Sequence, residues 1–385
     1  MHDGPFFFIP MKIAVNTRLI LKDKLDGIGW FTYETMRRIA QQHPEVEFHF
    51  IFDRPFSKDF IPSKNVFAHI VPPPARHPVL MKLWYDLAVP LLLRRIKPDL
   101  FISPDAQCSL TTSVPQLIVI HDINFEHYPN DVPVSFRSYL SVRSKKWAHK
   151  AVRIATVSEF SKKDICETYG IEADKIDVVY NGANTLYTPV SEEVKLLTKK
   201  RFTKGEDYFV FVGSIHPRKN LQRLLPAFKV FKERTGSKMK LVIVGNAYWK
   251  NEEIKAGIAL FEGTEDLVMA GRLNAEELKD VIGSAMANVY VSYFEGFGIP
   301  IVEGFRAGVP VITSNVTSMP EVADGAALLV DPFSVKSISE GLERIATDET
   351  LREELVKKGT ERAAFFSWDK AATALWSSIE KALKI

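Results

Sequence analysis

Two glutamates eight positions apart, Glu295 and Glu303, lie in a segment whose residues could bind a phosphorylated sugar. The segment reads SYFEGFGIPIVEGFRAGVP over residues 292–310 and begins at the end of an apolar run that predicts a strand. Gly296 and Gly298 allow the backbone to pass close to a ligand, and the helix predicted after them would direct its positive end at that ligand. A carboxylate at such a place can accept two ribose hydroxyls or fix the face of a sugar. A glycine-rich loop with a capping glutamate would show the same spacing, so both interpretations stay open.

A second segment, GSIHPRKNL at residues 213–221, also joins a predicted strand to a predicted helix. Arg218 and Lys219 stand at the entrance to that helix. Arg could hold a pyrophosphate with its planar fork, and Lys could act beside it as a point charge. A basic pair at the start of a helix is also common on plain solvated surface. The pair alone therefore leaves a phosphate site and an ordinary surface both open.

Two further candidates lie in the first half of the chain. Gly27 and Gly29, in the sequence DGIGW, follow the first predicted strand as a dinucleotide-binding loop would. The G-x-G-x-x-G pattern fails because Thr32 occupies the third glycine position, which disfavours an NAD enzyme and leaves another ligand open. His121 ends a predicted strand, where it could donate to a sugar hydroxyl or orient a reacting group. A structural histidine is the alternative.

Apolar β-rich runs alternate with amphipathic helical stretches along the chain. The strands and helices that they predict must position the candidate residues named above. Many of the runs are continuously apolar, which is typical of parallel strands covered by helices on both faces. The alternation predicts an α/β fold with doubly wound sheets, whose ligands bind beyond the carboxyl ends of the strands. The predicted strands are 12–16, 47–52, 67–71, 99–103, 117–121, 152–157 and 177–180 in the first half, and 208–213, 240–245, 267–270, 288–292, 310–313 and 327–330 in the second.

Length and composition exclude several classes of protein. The 385 residues carry 50 Lys and Arg against 47 Asp and Glu, a net charge of +3 that disfavours nucleic-acid binding by bulk charge. Two Cys are too few for a disulfide framework or a Cys-rich zinc site. Metal-ligand spacings such as H-E-x-x-H and the G-x-S-x-G elbow are missing from the sequence, and no apolar run is long enough to span a bilayer. The length predicts two domains. The Asn-, Gly- and Pro-rich residues 181–190 predict a linker at about residues 182–206, and residues 1–10, which precede the first predicted strand, are interpreted as an extension.

The stretch RHPVLMKLWYDLAVPLLLRRIK, residues 76–97, is both hydrophobic and basic. It could lie on an anionic membrane, which a lipid-linked substrate would make useful. The alternative is a buried pair of helices that breaks near Pro90 and ends in charged residues.

Taken together, the motifs resemble those of the retaining glycosyltransferases of family 4. The resemblance extends over about residues 11–385 and is most specific in the second half. Its motifs are EGFGIPIVEGFRAGVPVI with Glu295 and Glu303, PRKN at 217–220, VSEFSKKDI at 157–165, YNG at 180–182 and SMPEVADGAALLVDP at 318–332.

The resemblance implies a GT-B architecture, in which two Rossmann-like doubly wound domains face a central cleft. An N-terminal domain over 11–185 would bind the acceptor. A C-terminal domain over 206–366 would bind a nucleotide sugar. The last segment, 367–385, would cross back to the N-terminal domain as a helix.

The same resemblance assigns most of the donor site to the C-terminal domain. Arg218 and Lys219 match the basic pair that neutralises the diphosphate leaving group, and Glu303 matches the carboxylate on the nucleotide ribose. Glu295 matches the residue beside the donor sugar and the distal phosphate, and it is expected to act in catalysis together with the basic pair. The other implied nucleotide-sugar residues are Gly213, Gly296, Phe297, Gly298, Ile299, Arg272 and Leu273.

In the N-terminal domain, His121 matches the catalytic histidine near the hydroxyls of the donor sugar. Gly27 and Gly29 match a glycine loop for acceptor or phosphate. One residue departs from the family pattern: many relatives place an Arg directly after the glycine equivalent to Gly213, where this chain has Ser214. Arg218 of the PRKN motif is therefore expected to take over the duty of that Arg.

The implied activity is transfer of a hexosyl unit, most closely a mannosyl unit from GDP-mannose, to a hydroxyl of a glycan or lipid-linked glycan in the synthesis of a surface polysaccharide such as lipopolysaccharide. The implied enzyme is cytoplasmic, retaining and metal-independent, with no cofactor beside its nucleotide-sugar donor and no nucleic-acid partner. Peripheral contact with the inner face of the membrane stays an open expectation. The alternatives are a UDP- or dTDP-sugar donor, a GT-B nucleotide-sugar epimerase and a non-catalytic GT-B scaffold. The paired glutamates disfavour the epimerase, and the intact basic pair disfavours the scaffold.

Overall fold

The computed structural model describes residues 10–22, 25–245 and 252–385. These residues fall into two compact units. The first contains the described residues up to Tyr180 together with Trp368–Ile385, and the second contains Asn181–Ser367. The predicted extension at residues 1–10 lies outside the described residues except for Pro10.

The first unit is built on a sheet of seven strands, all of them parallel. Their order across the sheet is β3-β2-β1-β4-β5-β6-β7, so the chain winds outward in both directions from β1. The strands are β1 (Lys12–Asn16), β2 (Glu47–Phe52), β3 (Val66–Ile70), β4 (Leu100–Ser103), β5 (Gln116–Ile120), β6 (Arg153–Thr156) and β7 (Ile176–Val178). The central strands β1, β4 and β5 are buried along almost their whole length, as their continuous apolar sequences predict.

Helices in the segments between the strands cover this sheet. They are α1 (Gly27–Gln42), α2 (Pro78–Leu83), α3 (Val89–Ile96), α4 (Asn124–His127), α5 (Val134–Lys150) and α6 (Glu159–Tyr169). The helix α1 buries Phe31 and Ile39, while α5 buries Trp147. The helix α6 begins at a side-chain cap, since Ser158 accepts from the backbone N–H of Ser161 at 3.0 Å.

The alternative of two helices that break near Pro90 is wrong about the break, because the chain stays helical from α2 to α3. A single π-helical segment, Trp84–Ala88, joins the two helices, and the N–H of Val89 donates to the carbonyl of Trp84 five residues back. Pro90 has no N–H to donate, and its ring excludes the carbonyl of residue 86 from the normal α-helical position. The wider π turn accommodates both effects without a break.

The second unit contains a parallel sheet of six strands in the order β10-β9-β8-β11-β12-β13. The strands are β8 (Tyr208–Val212), β9 (Lys240–Val244), β10 (Leu267–Gly271), β11 (Ala287–Tyr290), β12 (Val311–Ser314) and β13 (Leu328–Val330). The helices are α7 (Glu192–Thr203), α8 (Leu221–Thr235), α9 (Glu252–Ala259), α10 (Ala275–Gly283), α11 (Ile299–Arg306), α12 (Met319–Ala323), α13 (Val335–Thr347) and α14 (Glu349–Ala363). The prediction of two doubly wound parallel α/β sheets is therefore confirmed.

The last helix, α15 (Trp368–Leu383), belongs to the first unit and packs on α1, β5 and β6. Its buried side chains include Trp368, Leu375 and Ile379. Lys381 pairs with Asp177 at 2.7 Å, which ties the end of this helix to β7. None of the helices in the described part of the chain is long and apolar enough to cross a bilayer.

Three glycines follow neighbouring strands at the carboxyl edge of the second sheet. Gly213 comes after β8, Gly245 comes after β9, and Gly271 ends β10. They are joined by backbone hydrogen bonds, from Gly213 N to Val244 O at 3.0 Å and from Gly245 N to Gly271 O at 2.8 Å. A Cβ at position 245 would lie 1.9 Å from the carbonyl oxygen of Gly213, and Gly245 has a φ of +144°. Only glycine allows the two loops to approach so closely.

We therefore expect Gly245→Ala to lower the free energy of unfolding by about 3 kcal/mol or more, because the methyl group must displace backbone atoms. Gly263→Ala is the matched control: Gly263 also has a positive φ, +75°, but no atom lies within 4 Å of its Cβ position. The control should cost only the backbone strain, about 1–2 kcal/mol. Urea unfolding of both variants makes the comparison, and equal losses would contradict the close approach of the two loops.

Candidate active site

The PRKN motif forms a short turn at the carboxyl end of β8. The His216 side chain caps a 3-10 turn at Pro217–Lys219, accepting from a backbone N–H at 3.2 Å. Asn220 follows in the left-handed region with a φ of +67°. Its side-chain amide donates to Val291 O at 2.9 Å and to Pro332 O at 2.7 Å. The fully buried Asn220 thus fixes the turn to the end of β11 and to the loop after β13.

The turn brings two cations onto one buried carboxylate, in a charge cluster made of Arg218, Lys219, Tyr290 and Glu295. Lys219 Nζ donates to Glu295 Oε1 at 2.7 Å and to the Tyr290 hydroxyl, and it lies 4.7 Å from the centre of the Tyr290 ring. Arg218 pairs with the second carboxylate oxygen, Glu295 Oε2, and donates to Phe294 O at 3.1 Å. The sequence predicted each of the three charged residues, and the structure brings them into direct contact.

The charge cluster keeps Glu295 ionised although only 5% of that residue is exposed. Burial acts to raise the pKa of the Glu295 carboxyl, but Arg218 and Lys219 outweigh it and hold the pKa at about 2. The pKa of the Tyr290 hydroxyl is raised well above its ordinary value by burial and by the adjacent carboxylate. Tyr290 is therefore neutral and Glu295 is anionic at neutral pH.

The loop that carries Glu295 is held by hydroxyl groups from the next segment. Ser318 donates to the carbonyl oxygens of Glu295 at 2.8 Å and Phe297 at 3.0 Å, and Thr317 accepts from the Glu295 N–H at 3.3 Å. Gly298 ends the loop with a φ of +103° as the N-cap of α11. Ile299 is the first residue of that helix. The predicted donor loop is therefore a buried, braced connection between β11 and α11.

Glu303 lies on α11 and has a different partner from Glu295. Its carboxyl group hydrogen-bonds to the hydroxyl of Tyr187, from the segment that precedes α7. Burial raises the pKa of Glu303 to about 7, and the Tyr187 hydrogen bond lowers it only in part. The two glutamates of the motif thus differ strongly: Glu295 is fixed as an anion, whereas Glu303 can gain or lose a proton near neutral pH.

The other predicted donor residues line the same carboxyl edge of the second sheet. The stem of Lys219 passes the Gly213 Cβ position at 3.9 Å. Arg272 and Leu273 follow Gly271 at the end of β10. Arg272 is exposed, and Leu273 packs against the apolar cluster that contains Tyr208. The N–H groups and side chains after β8, β10 and β11 therefore converge on one edge.

His121 lies in the first unit, directly after β5. Its Nε2 lies 3.0 Å from Pro104 O, and its ring packs edge-on against Phe31 at 5.1 Å between centroids. Burial lowers the pKa of the imidazole, so His121 is neutral at pH 7. A neutral ring that donates through Nε2 to Pro104 O leaves Nδ1 as an acceptor.

The prediction of a glycine loop at Gly27 and Gly29 is wrong in its secondary structure, because both residues lie in the first turn of α1. Asp26 caps that helix and accepts from Gly29 N at 2.8 Å. A Cβ on Gly29 would lie 2.8 Å from Leu19 O. Close packing of the helix on the preceding loop therefore accounts for Gly29 without a ligand.

Four residues of this region were missed by the sequence interpretation: Tyr187, Tyr290, Asn220 and Gly245. Tyr290 stands inside a predicted strand and so resembled an ordinary core residue. Asn220 was quoted only as part of PRKN, and its left-handed conformation at a helix start is the signal that could have singled it out. No group of three or more His, Cys, Asp or Glu side chains that could hold a metal ion occurs among the residues that the structure describes.

This arrangement can bind an anion that competes with Glu295 for two cations. Arg218 offers a fork of donors and Lys219 a point charge, both partly accessible, with side-chain exposures of 21% and 12%. A diphosphate could accept from both, and a carboxyl group such as Glu303 could accept hydroxyl groups of a ribose. The site thus combines elements for a nucleotide and for a leaving phosphate.

Two family models match the chain and together span most of it. The model described as Glycosyltransferase Family 4 matches residues 25–186, and the model described as Glycosyl transferases group 1 matches residues 195–362. The chain belongs to glycosyltransferase family 4. The family 4 resemblance expected from the motifs is confirmed, and the protein is a glycosyltransferase.

Curated relatives of this family 4 protein align along much or nearly all of its length. It is 29% identical over 384 residues to the O-antigen chain mannosyltransferase B of Escherichia coli, covering 94% of this chain and 98% of the relative. It is 29% identical over 269 residues to the O-antigen chain mannosyltransferase RfbU of Salmonella typhimurium, covering 68% of this chain and 70% of that protein.

Solved structures show the same fold at low sequence identity. The sucrose-phosphate synthase of Thermosynechococcus elongatus superposes with a TM-score of 0.77 at 17% identity, covering 96% of this chain and 98% of that one. WaaG, a glycosyltransferase involved in lipopolysaccharide biosynthesis, superposes with a TM-score of 0.72 at 16% identity, covering 94% and 98%. The GT-B assignment of the family 4 chain is therefore confirmed.

The depressed pKa of Glu295 predicts how the stability of the protein depends on pH. A carboxyl group whose folded-state pKa lies near 2 contributes stability above its ordinary pKa of 4.5, and this stability is lost as the pH falls toward 2. We expect Glu295→Gln to lower the free energy of unfolding at pH 7 by about 3 kcal/mol and to remove this part of the acid sensitivity.

Urea unfolding at pH 7 and at pH 3 measures both effects. Glu233→Gln is the matched control, since Glu233 forms an exposed pair with Lys229 at 3.7 Å and its loss should change stability by less than about 0.5 kcal/mol. If Glu295→Gln and wild type lose the same stability between the two pH values, the ionised carboxylate is not what holds the cluster together.

Proposed function

We propose that this glycosyltransferase is a retaining, metal-independent mannosyltransferase that uses GDP-mannose and acts on a hydroxyl of a glycan or lipid-linked glycan in surface polysaccharide synthesis. The observation that carries the proposal is the charge cluster at the carboxyl edge of the second sheet. The names of the O-antigen mannosyltransferases to which the chain is 29% identical support the choice of sugar and pathway.

The two cations of the charge cluster suit the hard step of the reaction, which is departure of a nucleoside diphosphate from the anomeric carbon. Negative charge builds up on the leaving phosphate in this step. Arg218 and Lys219 stabilise that charge in the proposed mechanism, and the partly buried setting strengthens their effect. Two protein cations on a diphosphate are the physical basis for proposing that the reaction needs no metal ion.

Glu295 has two tasks in this mechanism. In the absence of donor it neutralises Arg218 and Lys219, as the hydrogen bonds of the charge cluster show. When the diphosphate takes over those cations, the carboxylate is free to accept hydroxyl groups of the donor sugar. Glu303 accepts the ribose hydroxyls, and its raised pKa makes this interaction depend on pH near neutrality.

The proposed stereochemical course is attack on the same face from which the diphosphate leaves. The bond from the anomeric carbon to the phosphate oxygen breaks, and a bond from that carbon to the acceptor oxygen forms on the same face. The acceptor proton passes to a phosphate oxygen of the leaving group. Glu295 is the only carboxylate of the charge cluster. Because it pairs with Arg218 and Lys219 in the structure and accepts hydroxyl groups of the donor sugar in this mechanism, we assign it no role as a nucleophile on the opposite face.

A thermal-shift panel with GDP, UDP, ADP and dTDP tests the donor class. We expect GDP to raise the melting temperature by several degrees, since a ligand at 100 times its dissociation constant stabilises by about 2.7 kcal/mol. A transfer assay with GDP-mannose and a mannosylated acceptor, read by NMR with and without EDTA, should show an α-linked product in both cases.

Each result answers a different part of the proposal. A shift with UDP or dTDP instead of GDP would overturn the GDP-mannose assignment, and a β-linked product would overturn retention. Loss of activity with EDTA that added metal restores would overturn metal independence. Binding of none of the four nucleotides would contradict the proposed diphosphate site itself.

A further inference from the structure

The helical run from α2 through the π turn to α3 is apolar on two faces. One face holds Met81, Tyr85, Val89 and Leu93, which are buried against the sheet and α5. The other face carries four aliphatic side chains that point to solvent. They are Val79, Leu83, Leu87 and Leu91, with exposures of 60%, 44%, 56% and 56%. A surface helix of a globular domain normally presents polar residues there.

The π turn aligns these four side chains into one stripe. In a regular α-helix, side chains four residues apart point in directions that differ by about 40° around the helix axis. Val79 and Leu91, twelve residues apart, would therefore point in directions that differ by about 120°. The π segment Trp84–Ala88 contains one more residue in its turn than an α-helical turn would. With that extra residue, the twelve residues from Val79 to Leu91 span three full turns to within about 20°. The aliphatic stripe is thus a straight line of exposed apolar side chains.

Positive charge surrounds the aliphatic stripe. Arg94, Arg95 and Lys97 at its end are exposed, as are Arg76 and Lys82 toward its start. The one acidic residue between positions 76 and 97 is Asp86, and it is neutralised by Arg143 of α5.

The neighbouring helix has the same character. The sequence of α5, VSFRSYLSVRSKKWAHK, contains no Asp or Glu. It exposes Val134 and Val142 at 67% and 60%, together with the charges of Lys145 and Lys146. Val142 immediately precedes Arg143, which pairs with Asp86 next to Leu87 of the aliphatic stripe. The exposed aliphatic residues of both helices therefore lie in a setting that is almost purely basic.

A pocket adjoins the basic end of the aliphatic stripe. It has a volume of about 490 Å³, and its polar lining residues are Arg94, Lys97, Thr111, Thr112 and Ser113, while Leu93, Pro98 and Val114 complete the lining. Cations and hydroxyl groups are the donors that a phosphate group requires. The surface thus offers apolar side chains beside a polar recess of headgroup size.

We propose that this surface, formed by the aliphatic stripe with its flanking basic residues on α2, α3 and α5, docks on an anionic lipid bilayer. Aliphatic side chains enter the interfacial region, while the Arg and Lys side chains contact anionic headgroups. Charge complementarity selects this occupant over a second copy of the chain, which would bring the same positive charges together. The row of exposed aliphatic side chains beside the basic residues favours a bilayer, which offers anionic headgroups above an apolar interior. The surface supports the proposal whatever sugar the enzyme transfers.

Vesicle co-sedimentation of the full chain, without donor or acceptor, tests the proposal. We expect binding to vesicles of phosphatidylcholine with phosphatidylglycerol, little binding to phosphatidylcholine alone, and release at high salt. Leu87→Gln with Leu91→Gln should weaken partition at least tenfold. Leu196→Gln with Leu197→Gln is the matched control, since these leucines of α7 are exposed at 71% and 60%.

A charge variant separates the two contributions to docking. Arg94→Gln with Arg95→Gln should weaken partition about 25-fold, from about fivefold per basic residue. Lys357→Gln with Lys358→Gln, two exposed cations of α14, should leave it unchanged. The proposal is overturned if wild type ignores anionic vesicles, if the stripe variants bind as well as the controls, or if the aliphatic stripe drives a concentration-dependent dimer in sedimentation velocity. Since nucleotide binding is measured separately, failure here leaves the transfer function untouched.

Discussion

The contact on which the proposed chemistry depends is the buried carboxylate of Glu295 held between Arg218 and Lys219. A carboxylate that is 95% removed from solvent is stable as an anion only because two cations compensate its lost hydration, and those cations are kept together only because the carboxylate is there. The site is therefore organised around opposite charges. In the proposed mechanism a diphosphate does not have to assemble the two cations; it has to replace Glu295 as their partner.

The surrounding fold supplies the rigidity that this exchange requires. Asn220 ties the turn of the basic pair to the ends of β11 and β13, and Ser318 ties the Glu295 loop to the segment after β12. Close approach of Gly245 to Gly213 brings the loops of β8 and β9 together on the same edge. Each constraint comes from a different strand of the parallel sheet, which is why the site lies where the carboxyl ends of those strands converge.

Apolar runs alone predicted every strand of both sheets to within two residues, because buried parallel strands are continuously apolar. The π turn at Trp84–Ala88 could not be predicted, since it follows from a local compromise at Pro90 rather than from any pattern. In the site, residue type revealed Arg218, Lys219 and Glu295, whereas their mutual contact depends on the spacing between β8 and β11. Tyr290 was missed because a buried tyrosine in an apolar run does not show what its hydroxyl group contacts. Tyr187 was missed because it lies in the segment that was predicted to be a linker. The glycines of DGIGW were predicted to lie in a loop and lie in a helix, because a capped helix start and a ligand loop share the same residue types.

The exchange of Glu295 for a diphosphate is tested most directly by calorimetric titration of wild type, Lys219→Ala and Lys229→Ala. Each is titrated with the nucleoside diphosphate that the protein binds and with the matching monophosphate. Lys219→Ala keeps the Arg218–Glu295 pair, so the fold should persist, and its affinity for the diphosphate should fall about ten- to a hundredfold, the worth of one charge-assisted hydrogen bond. Its affinity for the monophosphate should stay within about twofold of wild type, and Lys229→Ala should match wild type with both ligands. Equal losses for the two ligands, or no loss for the diphosphate, would show that Lys219 does not hold the leaving phosphate and would contradict the account.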